Sequence, residues 1–142
     1  MNITKLLIGT IVGGIVFFLL GWLVYGNLLA GFMSNNTGKI GHSADRREME
    51  FLFIIIGNGL QGLLLAYIFV KSNTNTLVGG LITGGIIGFL VSASVDCLIY
   101  GTTFMLSKKG IAADVAAATV IAAIAGAAIA LTAGGKGRSG SK

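Results

Sequence analysis

The chain has 142 residues, of which 54% are hydrophobic and only 11% are charged, and its formal net charge is +5. A soluble domain has roughly 25% charged residues, so this composition excludes an ordinary soluble fold. The basic residues lie in connections and in the C-terminal tail without a cluster of interleaved aromatics, which argues against nucleic acid as a partner.

Four long apolar runs follow one another along the sequence. A helix needs roughly 20 mostly apolar residues to cross the ~30 Å hydrocarbon core of a bilayer, and each run meets that length. The runs are apolar on all sides and lack the alternation of barrel strands. We therefore predict an all-α membrane protein, a bundle of four transmembrane helices at about 4–33, 48–71, 76–106 and 110–133.

The connections between these helices are unequal. Residues 34–47 form a polar loop, whereas 71–76 and 107–110 are short turns that predict antiparallel packing of neighbouring helices. Residues 134–142 have the composition of a disordered basic tail that follows the transmembrane domain 1–133. An even number of crossings places both termini on one side. The Lys and Arg count is tied at five to five, and the three acids at residues 45, 48 and 50, at the end of the first connection and the start of helix 2, favour cytoplasmic termini.

Helices 1 and 3 share a glycine pattern that indicates an internal repeat. Five residues of helix 1 recur 71 positions later, namely Gly9, Gly13, Gly14, Ile15 and Phe18, which match Gly80, Gly84, Gly85, Ile86 and Phe89. After a four-residue insertion, residues 22–26 match residues 97–101. The pattern predicts two helical hairpins related as a parallel repeat, unless glycine-rich helices resemble one another by composition alone.

Small residues at four-residue spacing predict close helix packing. Association in lipid depends on close backbone approach, which small side chains permit. The candidate packing residues are Gly9, Gly13, Gly80, Gly84, Gly88 and Gly126. Two interpretations stay open: packing within one bundle, or contact with another subunit along helix 1 or helix 4.

Asp96 is the ionisable residue deepest in an apolar run. A charged group inside a membrane helix costs several kcal/mol unless it is paired or hydrated, and such groups usually face the interior of a bundle. Asp96 lies on the same face of helix 3 as Gly85 and Ser92, which predicts that it points at protein. Tyr100, one turn later, is a candidate partner for it.

Other polar residues fall at a similar depth, in the half of the membrane nearer the 34–47 loop. Together with Asp96 they form a candidate polar cluster of Tyr100, Asn58, Gln61, Asn27 and Asp114. One interpretation is a polar pocket or vestibule that opens towards the loop, with Tyr25 at the end of helix 1 also in its wall. The other is a set of separate interhelical hydrogen bonds, each contributing ~0.6 kcal/mol.

Neither catalysis nor a cofactor is predicted. The only histidine, His42, lies in the polar loop, and the only cysteine, Cys97, cannot form an intrachain disulfide or a metal site by itself. A Ser-His-Asp arrangement would require His42 to enter the bilayer. We therefore expect a protein that is not an enzyme and has no metal site.

The element GWLVYGNLLAGFM in helix 1, the glycine-rich helix 3 and the sequence YGT at 100–102 resemble small four-helix inner-membrane proteins of Bacteroidetes-like bacteria. The resemblance spans most of the chain and implies the same four crossings and a bacterial inner-membrane location. It assigns a role to no residue, because the group has no established activity.

Two functions are consistent with the sequence. The first is an accessory or scaffold subunit whose partners are the bilayer and other membrane subunits, or a second copy of this chain. The alternative is a small transporter or channel with a polar pathway around Asp96. Polar residues are sparse in the half of the membrane nearer the termini, and this favours the accessory subunit.

Overall fold

The computed structural model describes residues 2–38 and 50–133, and nearly all of them are helical. The helices are α1 (Ile3–Leu23), α2 (Ala30–Asn35), α3 (Phe51–Ser72), α4 (Leu77–Thr102) and α5 (Lys108–Ala133). A π-helical segment, Val24–Leu28, continues α1. Most of the polar loop and the C-terminal tail at 134–142 lie outside the described residues.

Helix ends are fixed by local hydrogen bonds. The hydroxyl of Thr76 accepts a hydrogen bond of 3.1 Å from Gly79 N–H at the start of α4, and that of Ser107 accepts one of 3.1 Å from Gly110 N–H at the start of α5. Asn73 ends α3 in the left-handed conformation, with φ of 54°. Such caps satisfy backbone groups that a helix end leaves without an intrahelical partner.

Two helices are shorter than the sequence predicts. The helix expected at 76–106 ends at Thr102, because Thr103 is extended and residue 106 pairs instead with Thr37 in an isolated antiparallel bridge. The helix expected from 48 begins at Phe51, since Glu50 has a non-helical backbone with ψ of 86°.

The first helix is also not continuous over 4–33. At Val24–Leu28 the hydrogen bonding changes to the wider π pattern, with Leu29 N–H bonded to Val24 C=O at 2.7 Å. Gly26 has a low helix propensity, and the side-chain amide of Asn27 donates to the carbonyl of Trp22 at 3.2 Å. This interruption of the regular ladder rotates the residues that follow relative to a continuous α-helix.

The four long helices pack as an open arc. Helix α1 lies against both α3 and α5, and α5 lies against α4, whereas α3 and α4 hardly contact one another. The turn 73–76 joins α3 and α4 at the end of the bundle nearer the termini. Among the described residues, the bundle is therefore closed at that end and open between α3 and α4 towards the other.

Close backbone approach holds the closed half together. A methyl group on Gly13 would lie 2.9 Å from Cα of Gly62, and one on Gly84 would overlap the carbonyl oxygen of Ala122 and lie 3.1 Å from Cα of Gly126. Ile129, which is fully buried, fills the space between α5 and α1. Glycine is required here because any side chain would push the helices apart.

The two hairpins use equivalent positions for this contact. In α1 and α3, Gly13 meets Gly62, and Gly9 meets Ala66. In α4 and α5, the sequence-matched Gly84 meets Gly126, and Gly80 meets Ala130. The partners in α3 and α5 are also separated by a constant 64 residues, so the glycine pattern seen in sequence has a matching pattern of contacts.

The outer surface is that of a membrane protein. Within the described residues, four helical spans are long and apolar enough to cross a bilayer, namely Ile3–Leu28, Phe51–Ser72, Leu77–Thr102 and Lys108–Ala133. Large apolar side chains cover their outer faces, among them Leu52, Phe53 and Leu98, each 66% exposed. The prediction of an all-α bundle of four transmembrane helices is confirmed, and the chain is a multi-pass membrane protein.

We predict that Gly84→Leu destabilises the bundle by about 1–3 kcal/mol or more, because the new side chain overlaps the α5 backbone. The matched control is Gly101→Leu in the same helix, where an added Cβ meets no described atom within 4 Å. Heating each detergent-solubilised variant and measuring the folded fraction by size-exclusion chromatography tests this. Equal melting of the two variants would contradict it.

Candidate functional site

A cavity of about 600 Å³ lies between α1, α3, α4 and α5 in the open half of the bundle. Its floor is formed by Phe17, Leu65 and Ile121, which are buried and stand next to the glycine contacts of the closed half. The cavity is mostly apolar. Its polar wall groups are Tyr25, Asn58, Gln61, Ser92, Asp96 and Asp114.

Asp96 differs from the other polar groups of the wall because it is buried. Its side chain is only 6% exposed, and its Oδ2 atom is buried without a hydrogen-bond partner in the described part of the chain. A buried polar atom left unpaired costs about 1–3 kcal/mol, and a charged one costs more. Burial of this unpaired oxygen at the cavity wall therefore lowers the stability of the bundle.

Asp114 brings a second carboxyl to the wall of the same cavity, near enough to Asp96 for the two groups to interact electrostatically. Ionised carboxylates are acceptors only, so the two cannot satisfy one another unless a proton lies between them. A cation at this position would interact favourably with both. The sequence also allowed Asp114 a simpler role near the start of its helix, but the structure places it on the cavity wall.

Tyr25 joins the carboxyl pair from α1. Its hydroxyl donates a long hydrogen bond of 3.4 Å to the backbone carbonyl of Asp114. The π-helical segment contains Tyr25 and directs it to this wall, next to Gly26 and the preceding Trp22. The sequence placed Tyr25 among the polar groups that could line a pocket in this half of the membrane, and the structure brings it to the cavity wall.

The neutral polar groups of the wall bond mainly within their own helices. The amide of Asn58 donates to the backbone carbonyl of Ile54 at 2.7 Å. The hydroxyl of Ser92 donates to the backbone carbonyl of Gly88 at 2.8 Å. Gln61 is exposed at the opening. The interhelical hydrogen bonds expected from simple packing are therefore not made by Asn58 or Ser92.

Two residues of the predicted cluster lie outside the cavity. Tyr100 is 42% exposed and does not line the cavity, so it is not the partner expected for Asp96. Its position four residues after Asp96 offsets it by about 40° around the helix. Asn27 is also exposed, because its amide turns back along the π-helical segment to Trp22.

Within residues 2–38 and 50–133, no group of three or more His, Cys, Asp or Glu side chains could hold a metal ion. His42, the single histidine of the sequence, lies outside these ranges. No protein-family model, curated protein or solved structure matches the chain. The site is therefore interpreted from its own geometry.

We predict that Asp96→Asn leaves the free energy of unfolding unchanged or raises it by up to about 1–3 kcal/mol. The substitution keeps the shape of the side chain, removes one of two adjacent carboxyls and supplies an N–H group that can donate to Asp114. The measurement is the thermal midpoint of the purified protein in detergent.

The matched control for this prediction is Asn58→Asp in the same cavity. That change removes the donor to Ile54 and adds a third carboxyl, so it should lower the midpoint. A clear loss of stability in Asp96→Asn would show that the carboxyl of Asp96 is a structural anchor.

Proposed function

We propose that the chain is a non-catalytic protein of the bacterial inner membrane, an accessory subunit that holds a small molecule inside the bilayer. Its partners in this role are other membrane subunits or a second copy of itself. The observation that carries the proposal is the cavity of about 600 Å³ with the unpaired, buried Oδ2 of Asp96 in its wall.

The size and lining of the cavity support binding. Small-molecule sites usually occupy about 300–1,000 Å³ and combine apolar walls with a few polar groups that orient the ligand. This cavity has such walls, including Phe17, Phe18 and Leu64. Its two carboxyls, Asp96 and Asp114, would orient a bound molecule.

The closed half of the bundle favours a holding role over a channel. A channel needs a hydrated path to both faces of the membrane. Beyond the floor of the cavity, Gly13 meets Gly62 and Gly84 meets Gly126 with no room for a side chain between them. A continuous path would require these backbone contacts to separate.

Among the described residues, the cavity lining shows no serine, threonine or cysteine that is activated by a neighbouring base, which is one route to nucleophilic catalysis. The one serine of the wall, Ser92, donates its hydroxyl proton to a backbone carbonyl of its own helix. The thiol of Cys97 belongs to an exposed residue that does not line the cavity. This supports a binding role.

A small transporter is the second candidate, and the matched hairpins favour it. Several transporter folds consist of repeats with the substrate site between them, near the middle of the membrane. Here the cavity lies between the α1–α3 and α4–α5 hairpins, which share equivalent glycine contacts. Solute flux into proteoliposomes, lost in Asp96→Asn, would favour transport over holding.

We predict that Gly21→Leu abolishes ligand retention, because the new side chain enters the cavity. Gly21 lines the cavity, and a Cβ atom there meets no described atom within 4 Å. Native mass spectrometry of protein purified in mild detergent should show a bound small molecule in the wild type and none in this variant.

The control is Gly57→Leu, which also meets no described atom within 4 Å but lies outside the cavity lining. Both changes put leucine into a helix interior, where it is about 1 kcal/mol more favourable than glycine, so neither should unfold the protein. Retention of ligand by the control alone supports the proposal. A wild-type protein that is a clean monomer without ligand or partner overturns it.

A further inference from the structure

The charges around the cavity are of one sign. Asp96 and Asp114 are its ionisable carboxyls, and the lining contains no lysine, arginine or histidine. Two carboxyls that interact on the wall of a mostly apolar cavity need a positive charge or a proton to compensate them. Nothing among the described residues hydrogen-bonds Oδ2 of Asp96. The missing interaction is therefore one that a bound cation would supply.

The aromatic walls suit the same kind of ligand. Phe17, Phe18, Trp22 and Tyr25 line the α1 side of the cavity. Aromatic faces attract cations within about 6 Å, and the attraction is stronger where water is excluded. An apolar molecule with one positive centre would match both the carboxyl pair and these rings.

Such a cation could come from a lipid headgroup or from a hydrophobic amine dissolved in the hydrocarbon. The depth of the two carboxyls in the membrane distinguishes between these sources. Asp96 lies six residues before the end of α4, and Asp114 lies six residues after the start of α5. At ~1.5 Å per residue, both carboxyls are about 9 Å inside the helix ends. The ammonium of a lipid headgroup would have to sink by that distance, whereas a hydrophobic amine dissolved in the hydrocarbon already reaches it.

A lateral route to the carboxyls is present. Helices α3 and α4 hardly contact one another, and both contribute residues to the cavity wall. On the α4 side, Val91 and Val95 are 43% and 48% exposed, so the rim of this gap is apolar. A molecule in the bilayer could pass between the two helices along the apolar α4 side of the gap.

We infer that the cavity is a binding site for a hydrophobic organic cation, which reaches Asp96 and Asp114 from the lipid through the gap between α3 and α4. The positive centre lies at the carboxyl pair, and the apolar body lies against the aromatic wall of α1. This assignment rests on the proposed binding function and adds the charge class of the ligand and its route.

The test compares two ions of the same size and shape, tetraphenylphosphonium and tetraphenylborate. Each is titrated into the purified full chain in a non-ionic detergent, with calorimetry and the fluorescence of Trp22 as readouts. Trp22 is the only tryptophan and lines the cavity, so its emission reports on occupancy. We expect saturable binding of the phosphonium cation and none of the borate anion.

The double variant Asp96→Asn, Asp114→Asn should weaken phosphonium binding by about tenfold or more, because a buried charge interaction is lost. The control Gly57→Leu should bind it as the wild type does. Unchanged affinity in the double variant, or equal binding of the borate, would overturn the inferred charge class.

The same measurements distinguish a failure of the inferred charge class from a failure of the proposed binding function. If the phosphonium ion fails to bind while a native ligand is still lost in Gly21→Leu, the cavity is a binding site for another class of molecule. If neither is bound, the proposed function fails as well. A native ligand with the mass of an aminophospholipid, lost in the double variant, would contradict a cation dissolved in the hydrocarbon.

Discussion

The close approach of helix backbones at glycine is the constraint on which this structure depends. Lipid provides little hydrophobic drive for helices to associate, so contact surface and dispersion must hold them together. Gly13 against Gly62 and Gly84 against Gly126 provide this contact, and Ile129 fills the remaining space. Where the glycine contacts end, bulky residues such as Phe17 and Leu65 take over. The helices then separate, and the cavity follows from the same packing that closes the other half.

This division explains how the bundle tolerates Asp96. An unpaired carboxyl oxygen costs free energy wherever it is buried, and the closed half has close contacts to offset that cost. The carboxyl lies in the open half, where α3 and α4 hardly contact one another. The glycine contacts and Asp96 are thus in different halves of the bundle, so substitutions at the cavity need not weaken those contacts.

The sequence was sufficient for the four spans, because length and uniform apolarity determine them without reference to packing. It also predicted that Asp96 faces protein, since Asp96 shares a helix face with Ser92. The short turn at 71–76 predicted that α3 and α4 pack against one another, and this is wrong, because neither a short turn nor a glycine stripe reveals which helix a face contacts. The sequence could not show that Asn27 lies outside the cavity, since the π-helical segment changes the register that a regular helix would give this residue.

The gap between α3 and α4 marks where the two hairpins stop being equivalent. Ile129 of α5 fills the space next to Gly9 and Gly13 of α1. Its counterpart 64 residues earlier is Leu65 of α3, which is buried and forms part of the cavity floor instead of filling space beside Gly80 and Gly84. A symmetric assembly of the hairpins would place α3 against α4 as α1 lies against α5, and the cavity would disappear. The site therefore exists because one of two equivalent contacts is not made, and Asn58, Gln61, Ser92 and Asp96 of the two separated helices line the cavity there.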